Sequence, residues 1–290
     1  MTNDSEVLVF GATGTQGSPV VRRLREAGRR VRALVRSRAK GQGLDASLVE
    51  GSLDDARSLV RAAEGAGSAV VLFSTSVPPA EMLVHAKNAL EAVAQARVPH
   101  VVVSTSSIVP MRDTGVEAPD ARRRLVELIA RLVPQAVVLS PTLYLENFSV
   151  ALRPALDQGV IPQAIPANVP VAYLSLDDHA RFLAAAIARP ALAGRTFAIA
   201  GADPLDGERL AATLGAALGR TLAYVPLPPA AMVAQLTPIV GAQVAEAIGQ
   251  MYAYEGTEGA SLLHPPQEDA RAALGVVPRS VADWAREALR

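Results

Sequence analysis

The stretch Val7-Leu-Val-Phe-Gly-Ala-Thr-Gly-Thr-Gln-Gly17 decides how this chain folds. Its four leading apolar residues read as a strand buried on both faces, and Val20, Val21 and Leu24 recur at helical spacing just beyond the glycines. Between strand and helix, Gly11-x-x-Gly14-x-x-Gly17 supplies what a nucleotide-binding turn needs. The first glycine permits the tight turn, the second lets backbone approach a pyrophosphate, and the third lets the helix pack against the strand. The N–H groups at the helix start then face the phosphates. A bare glycine pattern is a weak signal; one that opens a strand–turn–helix unit specifies a dinucleotide site.

The end of the second strand bears on which dinucleotide. An NAD site places Asp or Glu there, about 20 residues past the glycines, to hold the ribose hydroxyls. Here residues 31–35 run into Arg36, with Arg38 and Lys40 beyond and no acid before Asp45. A carboxylate would repel a 2′-phosphate, whereas a guanidinium bonds it through paired charge-assisted contacts. The expectation is NADP(H), with Arg36 on the phosphate.

The same rhythm continues outward. Residues 69–73, 101–104 and 136–139 are nearly uniformly apolar, and a shorter strand at 47–50 comes third in the chain. Leu83, Ala86, Leu90 and Val93 share a helical face, and 120–132 reads as another helix. This βαβα order predicts a Rossmann-type α/β fold, a doubly wound parallel sheet with right-handed crossovers. After Pro141, prolines at 154, 162, 166 and 170 leave room only for short elements. Ser175 opens a helix to about Arg189, and 196–199 suits a strand. Helices follow near 207–218, 230–254 (broken near Pro238) and 281–289, with a strand at 221–225. The expected organisation is an NADP-binding Rossmann domain over residues 1–150 and a smaller, mainly helical α/β substrate lobe over 151–290. Segments such as 171–200 are expected to return to the sheet.

Composition removes other classes. With 28 basic and 28 acidic residues and 4% aromatics, the chain has neither the field nor the stacking platform that nucleic acid or an anionic membrane requires. The absence of cysteine excludes disulfides, thiolate nucleophiles and zinc ribbons. The start, residues 1–6, is polar and acidic where a signal peptide is basic and then apolar. No apolar run approaches the roughly 20 residues of a membrane span. The reading is a soluble, cytoplasmic protein, its oligomeric state not legible.

Several motifs together resemble one family. Gly-Ala-Thr-Gly-Thr-Gln-Gly at 11–17, Leu-Val-Arg at 34–36, Glu-Gly-Ser-Leu-Asp-Asp at 50–55, Ser-Thr-Ser-Ser at 104–107 and Ser-Pro-Thr-Leu-Tyr-Leu-Glu-Asn-Phe at 140–148 are similar to the NmrA-like atypical short-chain dehydrogenases/reductases. The resemblance runs to about residue 255. That family includes NADPH-dependent quinone oxidoreductases, isoflavone- and ether-reductase relatives, and non-catalytic redox-sensing regulators. The resemblance implies that Thr13, Thr15 and Gln16 surround the pyrophosphate alongside the glycines, with Arg36 on the 2′-phosphate. It implies Ser52 and Leu53 beside the adenine, and Ser74, Thr75 and Ser76 along the ribose and nicotinamide. Tyr144 and Asn147 would flank the nicotinamide and the substrate opening.

Catalytic groups are less clearly marked. Ordinary short-chain dehydrogenases pair Tyr with Lys in Tyr-x-x-x-Lys, the lysine lowering the tyrosine pKa. The only lysines here are Lys40 and Lys87, and no tyrosine precedes Tyr144. Where many NmrA-like enzymes have Lys-x-x-x-Glu, this chain has Arg123-Arg-Leu-Val-Glu127, and the usual Arg before Pro141 is Ser140. Arginine stays protonated, so Arg123 can orient a ribose or stabilise an oxyanion but cannot act as acid–base; equally, it can form an i,i+4 surface pair with Glu127. Ser104, Ser106, Ser107 and Tyr144 are the candidates to shape the reaction site, with Phe148 walling it. His85, His100, His179 and His264 show no metal-ligand spacing, and His179 reads as a surface helical residue, with a place at the cleft mouth as the alternative. There is no Gly-x-Ser-x-Gly elbow. The expected function is NADPH-dependent reduction of a small apolar carbonyl, quinone or enone without a Tyr-Lys dyad. The alternative is a non-catalytic NADP(H) sensor acting on a regulatory protein partner.

Overall fold

A computed structural model of the chain describes residues 6–74, 76–149 and 152–289. The alternation of apolar runs and amphipathic stretches becomes β1 (Val7–Phe10), α1 (Gly17–Glu26), β2 (Val31–Val35), α2 (Arg38–Gly41), β3 (Ser47–Glu50) and α3 (Ala56–Ala63). It continues as β4 (Ser68–Val71), α4 (Pro79–Gln95), β5 (Val101–Ser104), α5 (Glu117–Leu132) and β6 (Val137–Pro141). Shorter elements follow: α6 (Glu146–Ser149), α7 (Arg153–Asp157), β7 (Val160–Gln163), β8 (Val171–Ala172), α8 (Leu176–Ile187) and β9 (Thr196–Ile199). The chain ends with β10 (Pro204–Leu205), α9 (Gly207–Leu218), β11 (Ala223–Pro226), α10 (Pro229–Val240), α11 (Ala242–Glu255), α12 (Glu268–Leu274) and α13 (Val281–Ala288).

Seven strands form one sheet in the order β3-β2-β1-β4-β5-β6-β9, every pairing parallel. The fold is therefore the Rossmann-type α/β architecture. Strand order reverses between β1 and β4, and such a sheet binds ligands there, outside the strand C-termini. Because side chains alternate along a strand, Val7 and Val9 enter the layer shared with α1, α8 and α12, whereas Leu8 and Phe10 enter that of α3, α4 and α5.

A third cluster, including Phe148, Ile161, Tyr173, Leu214 and Trp284, joins α6, α9 and α13 beyond β6. The link between the clusters is extended chain. Leu143 and Leu145 pack into the third cluster while Tyr144 between them packs against the sheet, and Tyr144 forms a bridge with Leu174. The helix α12, which no sequence signal announced, returns to the sheet layer through Ala270 and Leu274. The helical stretch expected over 230–254 breaks at Gly241 rather than near Pro238. Gly241 has φ +83°, a conformation only glycine adopts cheaply, and α10 runs past its proline to reach it. Among the described residues no helix is long and apolar enough to cross a membrane.

Candidate functional site

The glycine turn is built by close contact. Gly11 leaves β1 at φ +72°, and Gly17 lies so near it that a Cβ there would sit 2.0 Å from the Gly11 carbonyl oxygen. The Gly14 N–H donates to that oxygen at 3.0 Å, and the N–H groups of Gly17 and Ser18 both donate to the Gly14 carbonyl at 3.0 Å. Thr13, Gly14 and Thr15 are exposed and Gln16 is half-buried. Among the described residues, the N–H groups of Thr13, Thr15 and Gln16 donate to no backbone acceptor. The result is an open ring of donors at a helix N-terminus, the arrangement that binds anions.

Arg36 follows β2 directly, exposed, and no ion pair is formed by it among the described residues. Its charge, after hydrogen bonds from His85 and Ser52, helps hold the Asp54 carboxyl below the usual range. Ser52 donates its hydroxyl to Asp54 at 3.1 Å, and the Leu53 carbonyl accepts from Asn88 at 2.7 Å. One acid does come near this end, delivered by the neighbouring strand. Glu50 is paired with Val35 and accepts the Arg38 backbone N–H at 3.0 Å. Past β4, Ser74 accepts from the Ser76 N–H at 3.0 Å; Thr75 lies outside the described residues.

The other end of the cleft is a compact polar cluster. Ser106 has φ +60°, rare for a side-chain-bearing residue, and its hydroxyl lies 3.1 Å from both the Phe73 carbonyl and Gln16 Oε1. It thus ties the loop after β5 to the end of β4 and to the glycine turn. Ser104, the last residue of β5, is fully buried, with its hydroxyl 2.9 Å from His179 Nε2 and accepting from the Ser106 N–H at 3.2 Å. The Ser107 carbonyl accepts from Thr105 at 2.6 Å and Ser140 at 3.2 Å.

Tyr144 closes over this cluster, its ring centroid 5.4 Å from that of His179. Its hydroxyl is buried without a well-formed hydrogen bond, with Ser104 the hydroxyl beside it. Burial, then the charge of Glu146, raise its pKa, against the opposing effects of Arg122 and Ser104. Asn147, half-buried, begins the next turn, where its N–H donates to the Tyr144 carbonyl at 3.3 Å. Phe148 is fully buried and stands edge-on to Tyr173 at 5.2 Å; it supports the site from behind, inside the third cluster.

On α5 the two arginines take different sides. Arg123 points to solvent, where it pairs with Asp113 at 2.9 Å and with Glu127, the surface pair weighed from the sequence. Arg122, one position or about 100° around the helix, points inward. Its Nε and Nη1 are buried without partners, and burial lowers its pKa to about 10 against the opposing charges of Tyr144 and Glu255. Glu255, at the end of α11, is 1% exposed. Burial pushes its carboxyl up to about 8, with Arg122 and the Ser107 hydroxyl pulling the other way.

Three of these residues were not anticipated as part of the cluster. His179, expected on the surface, is fully buried, and burial holds it down to about 3. Its place three residues after Leu176 and four before Leu183 on α8 marks it as inward-facing. Arg122 likewise lies four residues after Ala118 and three before Leu125, both buried. For Glu255 no local signal exists, because packing of α11 against α5 puts it there.

The sequence profile of the NmrA-like family matches residues 3–284. An NAD(P)H azoreductase of Xenophilus azovorans is 28% identical over 230 residues, covering 76% of each chain. A (4-alkanoyl-5-oxo-2,5-dihydrofuran-3-yl)methyl phosphate reductase of Streptomyces griseus is 28% identical over 291 residues, 97% of each chain. An NADPH-dependent quinone oxidoreductase of Escherichia coli, solved with NADPH, superposes with a TM-score of 0.81 at 20% identity, over 98% of this chain and all of that one.

Proposed function

The chain belongs to the NmrA-like family, and from that premise we propose that it binds NADP(H) and reduces a small, apolar, conjugated acceptor such as a quinone or enone. The observation that carries the reading is the continuity of the cleft: Ser106 physically joins the glycine turn to the cluster of Ser104, Ser107 and Tyr144 through Gln16. A nucleotide held by the turn would present its reactive end to that cluster.

The residues suit this cofactor. The N–H groups of Thr13, Thr15 and Gln16 are open to a pyrophosphate, and the absence of a Cβ at Gly17 is what lets the turn close. Arg36 is free to bond a 2′-phosphate, while the one nearby carboxylate, Glu50, is engaged with backbone. Ser52 and Leu53 border the adenine side, and Ser74 and Ser76 the ribose side. When bound, NADPH supplies the hydride. The chain's part is to orient the acceptor, exclude water and stabilise charge arriving on its oxygen, work for which positioning alone supplies much acceleration. Tyr144 and the inward Arg122 are the groups placed for that last task, rather than Arg123. The azo and quinone acceptors named for its relatives support a conjugated substrate class.

The test is anaerobic NADPH oxidation against a panel of quinones and enones. Turnover with any member, abolished with NADPH at low concentration by Arg36→Ala, is the expected result. Tight NADPH binding with no turnover on any acceptor would overturn the enzymatic reading in favour of a nucleotide sensor with a protein partner.

A further inference from the structure

A buried histidine with one nitrogen on a serine and the other on nothing is an unusual group in an apolar layer. The Ser104 hydroxyl has two lone pairs and one proton. The Ser106 N–H, which can only donate, takes one lone pair at 3.2 Å. The other contact is His179 Nε2 at 2.9 Å, whose direction depends on the imidazole tautomer. His179 Nδ1 is buried without a partner. Were Nδ1 protonated, that N–H would be an orphaned buried donor, which folded proteins rarely tolerate; a bare nitrogen lone pair is the lesser defect. Burial keeps the ring neutral, so only one nitrogen carries a proton. Nε2 is then the donor, and it fills the second lone pair of Ser104.

The serine proton has one polar group left to meet, the Tyr144 hydroxyl beside it. Tyr144, whose buried hydroxyl forms no hydrogen bond within ordinary limits but has Ser104 beside it, is the acceptor for that proton, and its own O–H is left without an acceptor inside the protein. The reverse order would have Tyr144 donating to Ser104 and presenting only lone pairs. Those would repel an oxygen that gains negative charge as hydride reaches its conjugated carbon.

We propose that His179 is a positioning residue which sets the direction of a hydrogen-bond chain, His179 to Ser104 to Tyr144, leaving the Tyr144 hydroxyl to donate to the substrate oxygen. The inference rests on the reductase reading for its last link. Hydride adds to the acceptor carbon, the double-bond electrons move to oxygen, and the resulting anion takes its proton from water as it leaves the site; Tyr144 keeps its own and contributes the hydrogen bond. Arg122, unpartnered at Nε and Nη1, adds positive charge to the same spot.

Nitrogen-15 NMR of the imidazole in the full-length protein at neutral pH reads the tautomer directly and needs no turnover. A neutral ring protonated at Nε2 is expected, and protonation at Nδ1 overturns the chain. If the wild type reduces no acceptor, the reductase reading falls while this arm still judges the hydrogen-bond order. With a working acceptor, His179→Leu should lower kcat about tenfold with NADPH affinity unchanged, and His179→Gln, which keeps an N–H donor, should recover most of it. Equal rates in the two variants overturn the positioning role. Should the Leu variant fail to fold, Tyr144→Phe takes its place: kcat unchanged by loss of the hydroxyl overturns the proposal, and a tenfold fall with intact NADPH binding supports it.

Discussion

Replacing Glu255 by Gln removes a carboxyl that the fold keeps almost wholly from water, and the consequence for stability depends on pH in a definite way. Burial raises this group from an ordinary 4.5 to about 8. Below 4.5 the carboxyl is protonated in both folded and unfolded chains and contributes no pH dependence. Between 4.5 and 8 the unfolded chain has released its proton and the folded chain still holds it, so stability falls as pH rises through this window. At about 1.4 kcal/mol per pH unit, the whole window amounts to about 5 kcal/mol, a large share of the roughly 5–15 kcal/mol that keeps a domain folded. Glutamine cannot ionise. Urea unfolding of wild type and E255Q from pH 4.5 to 8.5 should therefore give diverging curves, the variant gaining on the wild type by several kcal/mol toward pH 8. Taking the difference cancels other titrating groups such as Glu146. Parallel curves would refute the reasoning, because they would mean that Glu255 is ionised in the folded protein and paired with Arg122.

Other substitutions probe the cleft from end to end. Arg36→Ala should weaken NADPH binding by about ten- to a hundredfold, at about 1.5–3 kcal/mol for a charge-assisted contact, while NADH binding changes within about twofold; equilibrium fluorescence titrations with both nucleotides check this, and equal losses would remove the phosphate role. Gly17→Ala puts a methyl group 2.0 Å from the Gly11 oxygen, backbone against backbone, so it should cost about 3 kcal/mol or more and abolish nucleotide binding, read by thermal unfolding with and without NADPH. Arg123→Ala removes only the solvent-side ion pairs to Asp113 and Glu127 and should leave the unfolding midpoint nearly unchanged with turnover intact. Arg122→Ala should lower kcat at least tenfold, and steady-state rates of the two variants side by side would reveal any exchange of roles.

The cofactor end was legible because its information is local. Strand, turn, helix start and the basic residue after β2 all lie within thirty residues, and each is specified by its own chemistry. Even there, Glu50 escaped notice, since strand pairing rather than sequence distance brings it beside Arg38. The reaction end gathers residues from β5, α5, the crossing at Tyr144, α8 and α11. The sequence offered Arg123 as a catalytic candidate beside its reading as a surface partner of Glu127, and the surface reading is the one formed; a single helical step separates the solvent face from the cleft, and the apolar neighbours Ala118 and Leu125 mark Arg122 as the inward one. His179 carried the same kind of mark between Leu176 and Leu183. On α11 apolar residues occur on every side, so no face distinguishes Glu255 before the helix is docked. Phe148, expected to wall the reaction site, instead turns its ring into the third cluster, where Tyr173, just past β8, packs edge-on against it.

The path of the chain between the sheet and the third cluster also governs motion. It leaves the sheet after Pro141, re-enters at Leu174, leaves again after Ile199, returns with Ala270 and departs once more before Val281. A jaw hung on one linker swings widely because a few dihedral angles absorb the whole displacement. Here the two walls of the cleft are stitched together at each of these passages, so a wide swing would have to bend all of them at once. A molecule reaching the site therefore meets walls braced by every one of these passages together, and not a flap that a single hinge could lift away.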